Sequence, residues 1–455
     1  MSKTIKLKKG FDINLAGKAE KTVANTPLSE TFAIKPTDFV GMKRPKLHVK
    51  EGDTVKAGSP VLYDKMQEEV MICSPVSGEV VEVKRGAKRK ILEIKILADK
   101  EVAFESFKSY SVSDLQGLSK EDAYAQMAAG GVWPNIVQRP YGVVANVADT
   151  PKAIFISTFD SSPLAADRGF ALKGKEEAFQ AGIDILKKFT EGKIHLNFDM
   201  HGEVANVFTN VQGVEHNKFS GKHPAGNVGV QIHHLDPVNK GEVAWTVTPY
   251  GVAQIGSLFL EGKYDASRVV AVAGSEVSAP QYHNTYVGAC INKLVDGNLK
   301  TDHVRYISGN VLTGERIEGD GYLGYYSDML SVIPEGDQPE FLGWIKPQKE
   351  RLSFHRAWGL FSFLNGKNKE YVLDSNTNGE PRAFVQTGTF EQVTPMDIYP
   401  TYLIKAILAE DFDNMEALGI YEIIEEDLAL CEFIDVSKHD IQQIVRDGLE
   451  LMQNG

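Results

Sequence analysis

The side chains of this chain that could do chemistry include 11 histidines and three cysteines. The sequence contains no HExxH, no paired Cys/His spacing and no GxSxG. His233 and His234 are adjacent in a segment that we predict to be a strand, so their rings should point to opposite faces of a sheet. Cys290 and Cys431 lie in apolar sequence, where a thiol is usually an inert core residue. Neither a metal centre nor a nucleophilic active site is therefore indicated.

One pair of adjacent glycines, Gly130 and Gly131, is the nearest approach to a phosphate-binding loop. The chain contains neither GxxxxGK[ST] nor GxGxxG after a strand. Trp133 and Pro134 follow the glycines, and a bulky ring beside a residue without an N–H makes a poor cradle for an anion. The pattern predicts a turn in which Trp133 is packed.

Composition narrows the class of protein further. The chain has 455 residues, of which 42% are apolar and 24% charged, as in folded proteins. Its three cysteines, Cys73, Cys290 and Cys431, can build neither a disulfide scaffold nor a cluster that needs four thiolates. A net charge of −12 argues against nucleic-acid binding.

The two ends of the chain carry opposite charge. Residues 1–100 hold 20 lysines and arginines against 13 aspartates and glutamates, a net charge of +7. Residues 398–455 hold 3 against 13, a net charge of −10. Two interpretations stay open, because such runs can be solvated faces or docking surfaces for different partners.

The elements that must position any site fall into successive modules. In residues 1–100, short strands alternate with turns, and HVKEGDTVKAGSPVLYDKM with SPVSGEVVEV resembles the biotinyl/lipoyl barrel-sandwich fold. Carrier proteins of that fold are modified at a hairpin-tip lysine, and Lys65 stands near that place. Either the fold is used with an unmodified lysine, or the protein is a carrier modified at Lys65.

Residues 101–256 read as an α/β domain. The apolar run from Ala153 to Ile156 and the alternating run from Ile194 to Phe198 predict two strands, with helical periodicity between them. Strand, helix and strand in this order predict a parallel βαβ unit.

Residues 257–340 suit a small α+β domain with strands at 268–274 and 304–309 and a short helix at 286–294. A β-rich connector is predicted over 341–395, and a helical module over 396–455, where Leu403, Ile404, Ile407 and Leu408 share one face. The longest uncharged run, 243–260, contains too many polar residues for a membrane span. We therefore predict a soluble protein without a signal peptide or transmembrane helix.

Several stretches together resemble one family over essentially the whole chain. They are KLKKGFDINLAG, RPKLHVKEGDTVKAG, SPLAADRGFAL, HPAGNVGVQIHHLDPV, ISGNVLTG and PMDIYPTYLIKAILAEDFDNMEALG. In this order they resemble the A subunit of the Na+-translocating NADH:quinone oxidoreductase. The resemblance implies a multi-domain α/β fold: a barrel-sandwich hybrid, a Rossmann-like domain, a β-grasp domain of the soluble-ligand-binding kind, and a helical C-terminal domain.

The same resemblance bears on redox cofactors. Flavin-bearing relatives carry a GRGGAGFP-type loop, from which Gly130 to Asn135 departs, so FMN is expected to be absent. Cluster-bearing relatives carry C-x2-C-x2-C-x3-C-P in the helical domain. With Cys431 at the first position, Ile434, Ser437 and Ile441 take the others, and none is a thiolate ligand. An iron–sulfur cluster is expected to be absent as well.

The resemblance implies a subunit on the cytoplasmic face of the bacterial inner membrane, attached through partner subunits, with a quinone as substrate. The isolated chain is not expected to be catalytic. A quinone needs an apolar slot, a stacking surface and hydrogen-bond donors. We nominate Trp133, Arg139 and Tyr141 as quinone contacts, with packing of the Rossmann-like domain as their alternative role.

Two further hypotheses stay open. A second candidate surface contains His233, His234 and Asp236, which could equally be polar groups at a strand end. An independent flavoprotein dehydrogenase is the remaining alternative to a subunit or a carrier, and a flavin absorption band would reveal it.

Overall fold

A computed structural model describes residues 2–338, 341–343, 351–355, 365–366, 368–384 and 388–455. The strands of these residues are, in chain order, β1 Thr4–Lys6, β2 Glu20–Ala24, β3 Thr31–Ile34, β4 Pro45–Leu47, β5 Thr54–Val55, β6 Pro60–Asp64, β7 Gln67–Cys73, β8 Gly78–Arg85, β9 Ile91–Ala98, β10 Ile136–Arg139, β11 Val143–Val144, β12 Ala153–Ser157, β13 Lys193–Asp199, β14 Glu215–Ser220, β15 Ala244–Val247, β16 Ser267–Ala273, β17 Gln281–Tyr286, β18 Val304–Ser308, β19 Glu315–Ile317 and β20 Met329–Pro334.

The α-helices of the described residues are, in the same order, α1 Val112–Gly117, α2 Lys120–Ala129, α3 Arg168–Ala171, α4 Glu176–Leu186, α5 Asn206–Thr209, α6 Val228–Leu235, α7 Pro249–Glu261, α8 Asn292–Val295, α9 Pro400–Leu408, α10 Phe412–Ala417, α11 Ala429–Ile434 and α12 Ile441–Asn454. Among these residues no helix combines the length and the apolar character that crossing a bilayer needs.

A seven-stranded sheet forms the Rossmann-like domain, in the order β1-β14-β13-β12-β15-β10-β11. Strands β12 and β13 pair in parallel, with α3 and α4 in the connection between them, which confirms the predicted βαβ unit. Strand β15 pairs with β12 in parallel, whereas β10 and β11 are antiparallel. From β12 the chain therefore adds β13 and β14 on one side of the sheet and then crosses to add β15 on the other side, so the strand order reverses between β12 and β15.

Helices α4 and α7 pack so closely that their contact requires glycine. A Cβ atom on Gly182 would lie 2.0 Å from the Val252 carbonyl oxygen, and one on Gly256 would lie 1.7 Å from that of Ala178. Backbone atoms cannot move aside as flexible side chains do. These two glycines therefore set the distance between the helices that cover the sheet.

Replacement of Gly256 by alanine is expected to lower the free energy of unfolding by about 2–3 kcal/mol, since the added methyl group forces the two helices apart. Urea denaturation followed by circular dichroism measures the change. Gly117→Ala is the matched control, because nothing lies within 4 Å of its added Cβ. Equal stability of the Gly256 variant and the wild type would contradict this account of the packing.

The barrel-sandwich is built from two small sheets, β3-β9-β8-β5 and β4-β6-β7. Its buried residues, among them Val61 and Val80, belong to the same hydrophobic cluster as Trp133 and Phe179 of the Rossmann-like domain. The two domains therefore share one core. The hairpin β6–β7 turns at Lys65, which is exposed at its tip.

The third sheet has the order β19-β18-β20-β16-β17-β2. The helix predicted over 286–294 is wrong except at its end, because Tyr286 closes strand β17 and only Asn292–Val295 is helical. Residues 287–291 form a turn and two isolated bridges, from Ala289 to Phe32 and from Cys290 to Tyr322, and these pairings with distant residues replace the helix.

The predicted module boundaries stay predictions, with two local differences. Strand β1 pairs with β14 and β2 with β17, so the start of the chain belongs to sheets outside the barrel-sandwich. In the described part of 341–395 there is no strand, only a bridge between Tyr371 and Leu15 and a 3-10 helix at Phe390–Gln392. The rest of the predicted β-rich connector lies outside the described residues.

Helices α9 to α12 form the C-terminal module around a core of their own. Leu403, Ile404 and Ile407 are buried as the periodicity predicts, whereas Leu408 is 56% exposed. Ile441, Val445 and Leu449 of α12 are buried in the same cluster. This cluster also takes in Ile13 and Leu15, which ties the module to the start of the chain.

Candidate functional site

Tyr141 stands at the turn between β10 and β11. Its backbone φ is +80°, a left-handed conformation that is uncommon for a residue with a side chain. The Gly142 N–H donates to the Gln138 carbonyl oxygen at 3.0 Å and closes the turn. Tyr141 is one of the residues that line a cleft of about 350 Å³.

The cleft lies between the barrel-sandwich, the β10–β11 hairpin and the end of α12. Its apolar lining residues come mostly from the first two of these and are Val40, Met42, Met66, Val70, Ile72, Val143 and Val144. Its polar lining residues are Lys43, Asp64, Gln67, Gln138, Asn146, Asp149 and Gln453. The apolar side chains offer a surface for a flat ring, and the polar ones offer partners for oxygen atoms on such a ring.

The polar residues around the cleft differ in the contacts that they already make. Burial raises the pKa of the Tyr141 phenol, so it stays protonated at neutral pH. Gln138 is fully engaged, because its amide donates to Asp149 at 2.7 Å and accepts from the Trp245 indole at 3.3 Å. The Lys43 ammonium donates to the Asn454 side chain at 2.6 Å and so joins the barrel-sandwich to α12.

Trp133 does not reach this cleft. Its ring is completely buried and makes edge-to-face contacts with Tyr124, Phe189 and Trp245. The indole N–H donates to the Ala145 carbonyl oxygen at 2.8 Å, just beyond β11. Trp133 therefore fixes the hairpin that carries Tyr141 and has no exposed face for a ligand.

Arg139 is also buried and points away from the cleft, towards the C-terminal module. Its two terminal nitrogens lie 3.0 Å from a Glu426 carboxylate oxygen and 3.2 Å from one of Asp427. Burial raises the pKa of both carboxyls, and the guanidinium opposes that rise. The Arg139 guanidinium therefore binds two carboxylates, and these ion pairs link β10 to the segment before α11.

The second predicted surface is assembled differently from its prediction. His233 and His234 lie on helix α6, not on a strand, so the two rings are in edge-to-face contact with centroids 5.1 Å apart. A helical pattern is present in the sequence of this segment, because the apolar residues Val228, Ile232 and Leu235 recur at the spacing of one helix face.

Both histidines bind the C-terminal module. His233 Nδ1 lies 2.6 Å from the Glu422 carboxylate, and its Nε2 accepts the Asp397 N–H at 3.0 Å. His234 Nε2 lies 2.8 Å from the Pro395 carbonyl oxygen. Asp236 instead pairs with Lys152 at 2.9 Å. The two histidines therefore join α6 to the C-terminal module, whereas Asp236 forms its ion pair within the Rossmann-like domain.

A larger cleft, of about 660 Å³, follows the carboxyl ends of β12 and β13. Its walls include the charged side chains of Asp12, Asp160, Arg168, Asp199 and Glu203. Arg168 is engaged by Asp328 at 3.2 Å and by Asp160 at 3.7 Å. Charged residues make up a third of this lining and less than a fifth of the lining of the Tyr141 cleft, which is therefore the less polar of the two.

The turn at Gly130 and Gly131 and the thiol of Cys431 are packed against protein. A Cβ on Gly131 would lie 2.7 Å from the Cys73 sulfur, and one on Gly130 would lie 2.6 Å from the Leu258 side chain, so this turn packs against protein. Burial raises the pKa of the Cys431 thiol to about 12, which opposes the thiolate that a cluster needs. The residues present therefore fit neither a flavin phosphate here nor a cluster at Cys431.

Three family models match successive parts of the chain. They are described as the NqrA N-terminal barrel-sandwich hybrid domain over 5–99, the NqrA second alpha/beta domain over 118–264, and the NQRA C-terminal domain over 269–319. The A subunit of the Na(+)-translocating NADH-quinone reductase of Serratia proteamaculans (strain 568) is 38% identical over 449 residues, which cover 98% of each chain. The chain belongs to this NqrA family.

A second NqrA protein, from Alcanivorax borkumensis (strain ATCC 700651 / DSM 11573 / NCIMB 13689 / SK2), is 37% identical over 99% of each chain. The family resemblance and the multi-domain α/β class predicted from the sequence are thus confirmed. An NAD+-reducing [NiFe]-hydrogenase in the air-oxidized state covers 78% of this chain and 67% of its own, with 11% identity and a TM-score of 0.37. A likeness at that level carries no argument about function.

Nothing in the sequence pointed to the opposite wall of the Tyr141 cleft. Met42, Met66, Val70 and Ile72 come from the barrel-sandwich, and Gln453 comes from the last helix. These residues have no motif and no shared periodicity with Tyr141, since only the packing of three domains brings them together.

Proposed function

We propose that this chain is the A subunit of a sodium-translocating NADH:quinone reductase and that the Tyr141 cleft contributes to binding the quinone. The observation that carries the proposal is a cleft of about 350 Å³ whose lining combines apolar side chains with Tyr141, a tyrosine whose phenol has a pKa raised by burial. The names of its relatives supply the reaction class. Attachment to the cytoplasmic face of the membrane through other subunits belongs to the same proposal.

Within this proposal, the three nominated residues divide into two roles. Tyr141 contacts the quinone and donates a hydrogen bond to one carbonyl oxygen. Trp133 and Arg139 hold the hairpin from either side, since Trp133 binds the Ala145 carbonyl and Arg139 binds the C-terminal module. Packing and ligand binding are therefore linked, and not alternatives, at this hairpin.

The chain is proposed to hold no permanent redox cofactor. Electrons then reach the quinone from other subunits, and this chain supplies shape, hydrogen bonding and exclusion of water. The packed turn at Gly131 and the buried thiol of Cys431 support this view.

The direct test is photo-crosslinking with an azido-quinone in the assembled complex, followed by peptide mapping. Labels are expected on peptides that contain Met66 to Ile72 and Tyr141 to Asn146, because both line the cleft. Excess unlabelled quinone should abolish them. Labelling confined to other subunits would refute the proposed role of this cleft.

Replacement of Tyr141 by phenylalanine is expected to raise the KM for quinone about fivefold, because a single hydrogen bond to the carbonyl is lost while the ring remains. Oxidation of NADH by an artificial acceptor should be unchanged. Tyr402→Phe, at a tyrosine that is 51% exposed outside the cleft, is the matched control. A Tyr141 variant with wild-type KM would show that the phenol does not bind quinone.

A second candidate function, a carrier modified at Lys65, is favoured by one observation. Lys65 is exposed at the turn of the β6–β7 hairpin, where a lipoyl or biotinyl group on its side chain would extend into solvent. The intact mass of the purified protein decides between the two. A lipoyl or biotinyl adduct would establish the carrier function.

A further inference from the structure

The Tyr141 turn is held by the C-terminal module at several points. The Tyr141 and Tyr421 rings meet edge to face with their centroids 6.3 Å apart. A Cβ atom on Gly142 would lie 3.1 Å from the Ile424 side chain, so the backbone of the turn lies directly against that module. Residues distant in sequence therefore surround one short turn.

Arg446 of α12 makes the one charged contact with the turn backbone among the described residues. Its Nη1 donates to the Tyr141 carbonyl oxygen at 2.8 Å. Its Nη2 donates to Glu425 at 2.7 Å, and its Nε binds the other oxygen of the same carboxylate. The side chain is only 12% exposed, so this geometry is fixed by packing as well as by charge.

Helix α12 also reaches the cleft itself. Val445 and Leu449 anchor the helix in the core of the C-terminal module. Two turns beyond Arg446, Gln453 lines the cleft, and Asn454 accepts the hydrogen bond from Lys43. One rigid helix therefore holds the Tyr141 turn at one end and forms part of the cleft wall at the other.

The backbone conformation of Tyr141 needs such support. At φ +80° the Cβ atom is crowded against the backbone, and a residue other than glycine keeps this conformation only where its surroundings impose it. The carbonyl that Arg446 binds belongs to this same residue. Loss of the bond should let the turn relax and carry the phenol out of position.

We propose that Arg446 is a positioning residue for quinone binding, which acts by fixing the Tyr141 turn against helix α12. The inference rests on the proposed function of the cleft. It adds that the C-terminal helical module, although it lacks cluster ligands, sets the geometry of a site in another domain.

Arg446→Met in the assembled complex tests the proposal by steady-state kinetics. The KM for quinone is expected to rise up to about fivefold, as in Tyr141→Phe, while kcat and the KM for NADH change little, because Arg446 acts on the quinone only through Tyr141. Arg446→Lys should recover part of the affinity, since an ammonium can reach one of the two partners. Arg305→Met is the control, because Arg305 makes a similar two-point ion pair, with Glu335, in another sheet.

Hydrogen–deuterium exchange gives a readout that does not depend on catalysis. The Gly142 amide should exchange faster in Arg446→Met than in the wild type and remain unchanged in Arg305→Met. If Arg446→Met does not assemble, Glu425→Gln weakens the same contact and should shift both readouts in the same direction.

The possible outcomes separate the two proposals. Photo-labelling of the cleft together with an unchanged KM in Arg446→Met would overturn the positioning role and leave the quinone site standing. Absence of labelling in the wild type would refute the quinone site. In that case, unchanged exchange at the Gly142 amide in Arg446→Met would show that Arg446 does not fix the Tyr141 turn. Faster exchange would show that Arg446 fixes the turn but has no role in quinone binding.

Discussion

Replacement of Arg139 by methionine is expected to lower the free energy of unfolding by about 3–5 kcal/mol at pH 8, because it leaves two carboxylates without their cation. Asp427 is fully buried and Glu426 partly so, and both bind the same guanidinium. Already in the wild type, one oxygen of Asp427 is buried without a partner among the described residues. Denaturant unfolding of the purified chain measures the loss.

The loss of unfolding free energy in Arg139→Met should depend on pH, and the pKa values of the two carboxyls decide the direction of that dependence. Burial raises the pKa of Glu426 and Asp427, so the folded protein binds protons more readily than the unfolded chain. The cluster is therefore most favourable below the ordinary carboxyl pKa and becomes less favourable as pH rises. Without Arg139 the carboxyls must take up protons in the folded state. The deficit should be smaller at pH 5.5 than at pH 8.

Arg305→Met is the matched control for this experiment. Its partner Glu335 has a pKa lowered to about 2 by the hydrogen bond from Arg305. Both its folded and unfolded forms are therefore ionised at pH 5.5 and at pH 8, and any loss of stability should be the same at both. An Arg139 deficit that is equally independent of pH would contradict the account of a buried acidic pair.

Replacement of Trp133 by alanine is expected to cost about 3–5 kcal/mol of stability, because it opens a cavity in the shared core of two domains. The ring is fully buried and touches three aromatic side chains. The indole N–H bond to Ala145 is lost as well. Calorimetry or chemical denaturation measures the change, and quinone affinity should fall with it as the hairpin loosens.

Two further variants distinguish a packing role of Trp133 from direct contact between Trp133 and the quinone. Trp133→Phe keeps most of the core volume and should lose less stability and less quinone affinity than Trp133→Ala. Tyr402→Ala removes an exposed ring and should change stability by no more than about 0.5 kcal/mol. A Trp133→Phe protein with wild-type stability but a tenfold weaker quinone affinity would restore direct contact as the role of Trp133.

Local sequence patterns predicted the elements whose own residues carry a clear hydrophobic pattern. The alternating and apolar runs at 153–156 and 194–198 gave strands β12 and β13, since each is buried on both faces of a parallel sheet. The stripe at Leu403, Ile404 and Ile407 gave the core of α9. The prediction that Trp133 is packed rather than part of a phosphate loop also agrees with its burial.

Patterns failed where a segment was short or its partner distant. His233 and His234 lie on an eight-residue helix whose periodicity is ambiguous over so few positions. The helix predicted over 286–294 is helical only at Asn292–Val295, because Ala289 and Cys290 form bridges with the distant residues Phe32 and Tyr322. Leu408 shares the apolar face of α9 but lies at its exposed end.

The sequence by itself determined the family, the order of the domains' main elements and the absence of thiolates at residues 434, 437 and 441, because these are properties of residues in order. Tertiary structure alone decided what Arg139 and Tyr141 do. Arg139 meets Asp427 across 288 positions, and Arg446 meets Tyr141 across 305. Such contacts depend on how three domains pack, since a side chain's partner is set by proximity in space.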